Sequence, residues 1–219
     1  MRRLYILDLF SGTGSVSETL KRKFGSQFKV LVHSVDIHPK YNPTTQIDLL
    51  RWSHKRALRD FLRSRKPRDV FIAHASPPCK EYSRAKTTAP HNLRVADAIA
   101  KRTLRIIRYA KPDFWTLENP TGLLRSRLFM RPLLKYRKTC SYCRYGKPFR
   151  KMTDIWTNVD CELKICSSAT PCRVKRETGR HLITAQSGPS GGMEGSGAGE
   201  NVYSLPRRLV LHIYGGAIG

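Results

Sequence analysis

LYILDLFSGTGS (residues 4–15) is the stretch that determines the fold. Residues 4–10 are apolar except for Asp8, as expected of a strand buried on both faces of a parallel sheet. Residues 11–15 are rich in glycine and serine and predict a tight turn, and residues 16–24 predict the helix that follows. The chain therefore opens with a strand, a turn and a helix, the unit from which α/β folds are built.

The same alternation continues along the chain. Apolar runs at residues 29–35, 69–75 and 114–117 predict further buried strands, and amphipathic patterns at residues 52–65 and 93–110 predict helices between them. Strands that alternate with helices favour a mainly parallel sheet with helices on both faces. We therefore predict the α/β fold class.

Chemically active side chains fall at the ends of the predicted strands. Asp8 lies near the end of the first strand and Asp36 ends the second, whereas Cys79 follows the third and Glu118 the fourth. Ligands of open parallel sheets bind beyond the carboxyl ends of the strands. We expect the functional site at this edge.

Three short motifs carry these residues. In residues 8–15, Gly12 and Gly14 allow the backbone to approach a ligand, and the next helix offers free N–H groups. In Ser76-Pro-Pro-Cys79, two prolines stiffen the loop that presents the thiol, and Leu117-Glu118-Asn119-Pro120 ends a strand with a carboxylate. Each motif alone is weak evidence, because glycine turns, inert buried cysteines and capping residues are common.

In this order the DLFSGTGS, SPPC and LENP elements resemble the cofactor loop, nucleophile loop and acid motif of the cytosine-5 DNA methyltransferase family. The resemblance covers residues 4–159 and, less fully, the C-terminal segment. It implies a Rossmann-like methyltransferase fold and DNA (cytosine-5-)-methyltransferase activity that uses S-adenosyl-L-methionine. It also implies a set of cofactor-binding residues: Asp8, Phe10, Ser11, Gly12, Gly14, Asp36 on the ribose, Ile37, Asp48 near the adenine, and Pro77.

The implied reaction explains the residue types. Carbon 5 of cytosine is a poor nucleophile, and addition of the Cys79 thiolate to carbon 6 makes carbon 5 enamine-like. Glu118 would hold the N3 edge and the exocyclic amine. A base stacked in a duplex would have to be flipped out first.

The chain departs from the family at Tyr145-Gly-Lys-Pro-Phe-Arg-Lys-Met-Thr153. The family has Tyr-Gly-x-Pro-Gln-x-Arg-x-Arg here, so Phe149 replaces the glutamine, Lys151 the first arginine and Thr153 the second. We expect Arg150 or Lys151 to contact the base. About 40 residues separate Asn158 from Val202, where the family carries a large recognition domain.

The net charge of +25 indicates a polyanionic partner. Residues 125–151 contain ten Lys or Arg and no acid, and residues 51–68 contain eight with Asp60 as the single acid. We expect these runs to bind the phosphates of DNA. RNA is the alternative polymer, and a homologue that binds nucleic acid without turnover is the alternative class; a structural zinc adaptor would leave the three motifs unexplained.

Cysteines are concentrated late in the chain. Of the six, Cys140 and Cys143 have the spacing of a zinc knuckle, and the segment around residues 161–181 is too polar to build its own core. We predict a structural zinc held by Cys143, Cys166, Cys172 and His181, with Cys140 and Cys161 as alternative ligands. Ordinary free cysteines are the alternative interpretation.

We divide the chain into a catalytic and cofactor-binding core (residues 1–139), a region of short strands, zinc insert and Gly-rich loop (140–200), and a C-terminal helix packed on the core (201–219). Within the last part, residues 205–214 predict the helix and Gly215 its end. We expect a monomer without a membrane span, working inside a cell in a compartment that the sequence does not distinguish.

Overall fold

The computed structural model describes residues 1–83, 89–181 and 203–218. Its sheet has seven strands in the order β3-β2-β1-β4-β5-β7-β6. The strands are β1 Arg2–Leu9, β2 Phe28–Asp36, β3 Thr45–Gln46, β4 Val70–Ala75, β5 Phe114–Pro120, β6 Arg137–Ser141 and β7 Met152–Thr157. The helices are α1 Ser15–Phe24, α2 His54–Leu62, α3 Leu93–Ala110, α4 Arg173–Thr178 and α5 Arg207–Ile218.

The sheet is parallel from β3 to β5 and reverses at β7. β1 pairs in parallel with β2 and β4, and β4 pairs in parallel with β5. β7 runs antiparallel to both β5 and β6. The predicted α/β fold with a mainly parallel sheet is confirmed, and the short strands expected after residue 140 belong to this same sheet.

Alternate residues of β1 point to opposite faces of the sheet, and both faces are covered. Leu4 and Ile6 pack in a core with α1 and α5, whereas Tyr5, Leu7 and Leu9 pack in a second core with α2 and α3. Burial on both faces is why β1 reads as a continuous apolar run instead of an alternating one.

The C-terminal helix corrects one prediction. Gly215 does not end α5, because the helix continues through Gly215 and Gly216 to Ile218. Ile218 is only 2% exposed, and its burial offsets the cost of about 1 kcal/mol that each glycine brings to a helix. The predicted Gly-rich loop, residues 187–200, lies outside the described residues.

In the described part of the chain, no helix combines the length and the apolar character needed to cross a bilayer.

Candidate active site and metal centre

The glycine-rich turn after β1 is fixed to the end of β2. Phe10, Gly12 and Gly14 all have positive φ angles, of 59°, 49° and 69°. The N–H groups of Phe10 and Ser11 both donate to the carbonyl oxygen of Val35, at 2.8 and 3.2 Å. These bonds hold Phe10 in a left-handed conformation that costs a non-glycine residue about 1–2 kcal/mol.

Asp36 stabilises this turn from the end of β2. Its Oδ2 accepts from the Gly12 N–H at 2.8 Å, and its Oδ1 accepts from the His38 N–H at 2.9 Å. The Ile47 N–H donates to the Asp36 carbonyl oxygen at 2.9 Å, which brings the loop that carries Asp48 beside the same strand end. Each carboxylate oxygen keeps a further lone pair for a ligand.

The surroundings of this turn fit an adenosyl group. A Cβ atom built on Gly12 would meet nothing within 4 Å, so the turn borders open space. The Ile37 side chain is 55% exposed next to Asp36 and offers an apolar surface for a planar ring.

Asp8 lies buried beneath the turn with one unsatisfied oxygen. Its Oδ2 has no hydrogen-bond partner among the described residues. Burial raises the pKa of Asp8 to about 7, and the charge of Asp36 adds to the rise. An unpaired buried carboxylate oxygen is costly unless a ligand contacts it, which fits a ligand-binding turn.

The loop that carries Cys79 is fastened at several points. The Tyr82 N–H donates to the Cys79 carbonyl oxygen at 2.9 Å, and Asn119 Nδ2 donates to the carbonyl oxygen of the buried Pro77 at 2.9 Å. Upstream, His74 Nε2 and Ser76 Oγ form a hydrogen bond of 2.9 Å. Asn119 thus ties the nucleophile loop directly to the strand that bears Glu118.

Glu118 and Lys151 lie within electrostatic reach of Cys79. Lys151 Nζ is 3.7 Å from Glu118 Oε1, and both side chains are largely buried. Burial raises the pKa of the Cys79 thiol, and then Lys151 lowers it and Glu118 raises it. The nucleophile loop and the acid motif therefore meet at the carboxyl edge of the sheet, where a thiol, a carboxylate and an ammonium influence one another.

The structure separates the two candidates for contacting the base. Lys151 pairs with Glu118, whereas Arg150 is exposed at the end of the segment. Of the two, Lys151 is in the environment where it can act on Cys79.

Tyr142 is a site residue that the sequence did not suggest. Its hydroxyl donates to Glu118 Oε1 at 2.9 Å, and the Lys151 ammonium lies 4.9 Å from the centre of its ring. Burial, followed by the charge of Glu118, raises the pKa of Tyr142 well above its ordinary value, so the hydroxyl remains a donor. Tyr142 lies between Cys140 and Cys143, whose spacing resembles a zinc knuckle, and nothing in this pattern indicates a catalytic role for the tyrosine.

The four predicted metal ligands come together. The ligand atoms of Cys143, Cys166, Cys172 and His181 all lie within 4.8 Å of one another. His181 Nε2 is 3.3 Å from Cys172 Sγ and 3.6 Å from Cys166 Sγ. Three thiols and one imidazole around a common centre match a tetrahedral zinc site, so the residues fit the metal.

The two alternative cysteines lie outside this cluster. Cys140 is buried in the core between the sheet, α1 and α5, and Cys161 packs against the edge of that core. The Cys143 thiol is available because the 3₁₀ turn Tyr142–Tyr145 leads the chain away from β6.

Part of each basic run serves the fold itself. Arg125 pairs with the buried Asp154, Arg127 pairs with Asp97 at 2.5 Å, and Arg65 pairs with Asp113 at 2.6 Å. Arg131 and Lys135 are exposed and remain accessible to a partner.

One curated relative is similar over nearly the whole chain. The chain is 28% identical over 207 residues to the "Probable DNA (cytosine-5)-methyltransferase" of Frog virus 3 (isolate Goorha), covering 85% of this chain and 88% of the relative. The resemblance to cytosine-5 DNA methyltransferases that the three motifs indicated is confirmed. No family model matches the chain.

Two solved structures share a more distant likeness. One is described as a "putative DNA modification methyltransferase encoded within prophage" (E. coli), with 16% identity, a TM-score of 0.48, and 73% of this chain covered. The other is a mutant of Spodoptera frugiperda DNMT2, with 14% identity, a TM-score of 0.46, and 75% of this chain covered. This chain spans about half of their length, 49% and 55%.

Proposed function

We propose that the chain is an S-adenosyl-L-methionine-dependent methyltransferase that acts on carbon 5 of cytosine in DNA, with Cys79 as the nucleophile. The observation that carries the proposal is the hydrogen bond of 2.9 Å from Asn119 to Pro77, which ties the loop of Cys79 to the strand that bears Glu118. Glu118 itself pairs there with Lys151 at 3.7 Å. A nucleophile, a hydrogen-bond acceptor and a cation within reach of one another suit addition to a pyrimidine.

The chain's own residues account for activation of the base. The Cys79 thiolate adds to carbon 6, which forms a carbon–sulfur bond and shifts the electron pair of the 5,6 double bond toward carbon 5. Glu118 accepts from the exocyclic amine and shares with N3 a proton taken up from solvent, which stabilises the adduct as electron density moves into the ring. Lys151 stabilises the thiolate before addition. After carbon 5 is methylated, loss of its proton and expulsion of the Cys79 sulfur restore the double bond.

S-adenosyl-L-methionine supplies the methyl group when it is bound. The residues proposed to bind this cofactor lie at and around the glycine-rich turn. Phe10, Ser11, Gly12 and Gly14 would line the cofactor, Asp36 would bind the ribose, Ile37 and Asp48 would lie near the adenine, and Asp8 and Pro77 would complete the site. The open space at Gly12 and the unpaired oxygen of Asp8 support this assignment.

The Cys143, Cys166, Cys172 and His181 cluster is proposed to hold a structural zinc ion. Little apolar packing surrounds these ligands apart from Val174, so the segment lacks a hydrophobic core to order it. A metal ion would supply the missing stabilisation. No step of the reaction needs this ion.

DNA is the proposed polymer because the name of the viral relative specifies it. The accessible cations of the basic runs suit any phosphate backbone. All six cysteines are free thiols, which supports action inside a cell, and a monomer remains the expectation.

Transfer of labelled methyl groups tests the function. Wild type is expected to label duplex DNA, and Cys79→Ala to label nothing, whereas Cys161→Ala, which changes a half-buried thiol outside the site, should behave as wild type. DNA that contains 5-fluorocytosine should trap a covalent adduct on Cys79, because fluorine blocks the final loss of the proton. If RNA alone is labelled, the substrate is RNA and not DNA. If Cys79→Ala still labels DNA, Cys79 is not the nucleophile and the mechanism is rejected.

A further inference from the structure

The two oxygens of Glu118 have different surroundings. The Tyr142 hydroxyl donates to Oε1 at 2.9 Å, and the Lys151 ammonium lies 3.7 Å from the same oxygen. Among the described residues, both of these contacts use Oε1. With Oε1 engaged by the Tyr142 hydroxyl, Oε2 is the oxygen with more capacity to accept from a base.

Tyr142 is itself held firmly in the fold. Its side chain is fully buried, its N–H donates to the Lys151 carbonyl oxygen at 3.1 Å, and its ring carries the Lys151 ammonium 4.9 Å from its centre. Tyr142 and Lys151 thus contact each other through backbone and side chain. A donor that cannot move fixes the carboxylate that it binds.

We propose that Tyr142 is a positioning residue for Glu118: its hydroxyl fixes the carboxylate so that Oε2 faces the N3 edge of the target cytosine. This inference rests on the proposed function. It gives Tyr142 no contact with the base and no part in proton transfer. Its effect is to keep Glu118 in the orientation that addition at carbon 6 requires.

The hydroxyl can be removed without disturbing the packing. Tyr142→Phe keeps the buried ring and the ammonium beside it, and loses the hydroxyl that donates to Glu118 and also interacts with Thr153. Tyr145→Phe is the matched control, because Tyr145 is a buried tyrosine of the same turn whose hydroxyl accepts from the Lys164 N–H, away from Glu118.

Steady-state kinetics separate positioning from folding. Tyr142→Phe is expected to lower kcat about tenfold to a hundredfold, with KM for DNA and the Kd for S-adenosyl-L-methionine within about twofold of wild type. Tyr145→Phe should retain the wild-type kcat. A wild-type kcat in Tyr142→Phe, or a change confined to KM, would overturn the inference.

A second comparison uses the Glu118→Gln background and the rate of adduct formation with 5-fluorocytosine DNA. If Tyr142 acts through Glu118, adding Tyr142→Phe to Glu118→Gln should lower the rate of adduct formation by less than about twofold. If Tyr142→Phe lowers the rate of adduct formation as much in the Glu118→Gln background as in the wild-type background, Tyr142 does not act through Glu118. That result would also overturn the inference. Absence of methyl transfer by wild type would instead contradict the proposed function, so the two failures are distinguishable.

Discussion

Cys79 must lose its proton before its sulfur can attack a ring, and its surroundings act on that step in both directions. Burial, and then the Glu118 charge, favour the thiol, whereas the Lys151 ammonium favours the thiolate. Burial is the largest of these effects, so the pKa of the Cys79 thiol lies above its ordinary value and the thiol form is favoured. Reactivity of the free enzyme should therefore rise with pH through the neutral range.

Lys151→Met tests this balance directly. Removal of the ammonium should raise the pKa of Cys79 further, so alkylation of Cys79 by iodoacetamide at pH 8 should slow by about threefold to tenfold. The rate is measured by mass spectrometry of the peptide that contains Cys79. Arg150→Met, which changes the exposed neighbour, is the control. An unchanged rate in Lys151→Met would show that its charge does not reach the thiol.

Cys79 and Glu118 could be selected as candidates from the sequence because each lies in a short motif at or just after a predicted strand end. Tyr142 could not, because its role depends on β7 bringing Lys151 and β5 bringing Glu118 to the same point. Asn119 lies inside the Leu117–Pro120 motif, yet its bond to Pro77 depends on β4 and β5 ending side by side, which the motif alone does not indicate.

At the scale of elements, the cysteine-rich segment depends on its ligands. Cys143 lies in the 3₁₀ turn after β6, Cys166 lies in a segment without regular secondary structure, and Cys172 caps α4, where its side chain accepts from the Lys175 N–H. The cluster therefore joins three parts of the chain that share little apolar contact. One metal ion would fix all three at once.

Cys172→Ser separates the metal from the helix cap, because serine still accepts at the start of α4. We expect loss of bound zinc and a fall in Tm of roughly 5–10 °C. Metal content is measured by atomic emission and Tm by calorimetry, with Cys161→Ser as the control that keeps both. A metal-free wild type of unchanged stability would remove the zinc assignment.

Sequence patterns predicted these elements unevenly. α3 has the predicted bounds, since a long amphipathic period and the Asn92 cap define it well. β3 has only two residues and no pattern of its own, and the end of α5 depends on burial of Ile218 instead of on the glycines before it. Local signals fail where tertiary packing decides the boundary.

At the scale of the whole molecule, the charge of +25 is the dominant property. Ion pairs such as Arg125–Asp154 neutralise only a few of the cations, since the chain has 41 basic and 16 acidic residues. Self-repulsion of this size is relieved when a polyanion binds, so DNA affinity should depend strongly on salt.

Removal of two exposed cations from the basic run at residues 125–151 should reduce that dependence. For Arg131→Ala combined with Lys135→Ala, the slope of log K against log salt should become about 2 units shallower. This slope is measured by fluorescence anisotropy with duplex DNA at roughly 50 to 200 mM salt. Lys21→Ala with Lys23→Ala, exposed on α1, should leave the slope unchanged. Equal slopes for the two double variants would argue against a phosphate-binding role for this run.

The position of β7 also affects how the protein is made. β7 lies between β5 and β6 although it is synthesised after both of them. During translation, one edge of β5 therefore stays unpaired until β7 is made, and β6 emerges before its own neighbour β7. Lys151, which immediately precedes β7, also leaves the ribosome later than Cys79 and Glu118. A nascent chain thus contains its thiol and its carboxylate before β7 can bring Lys151 beside them.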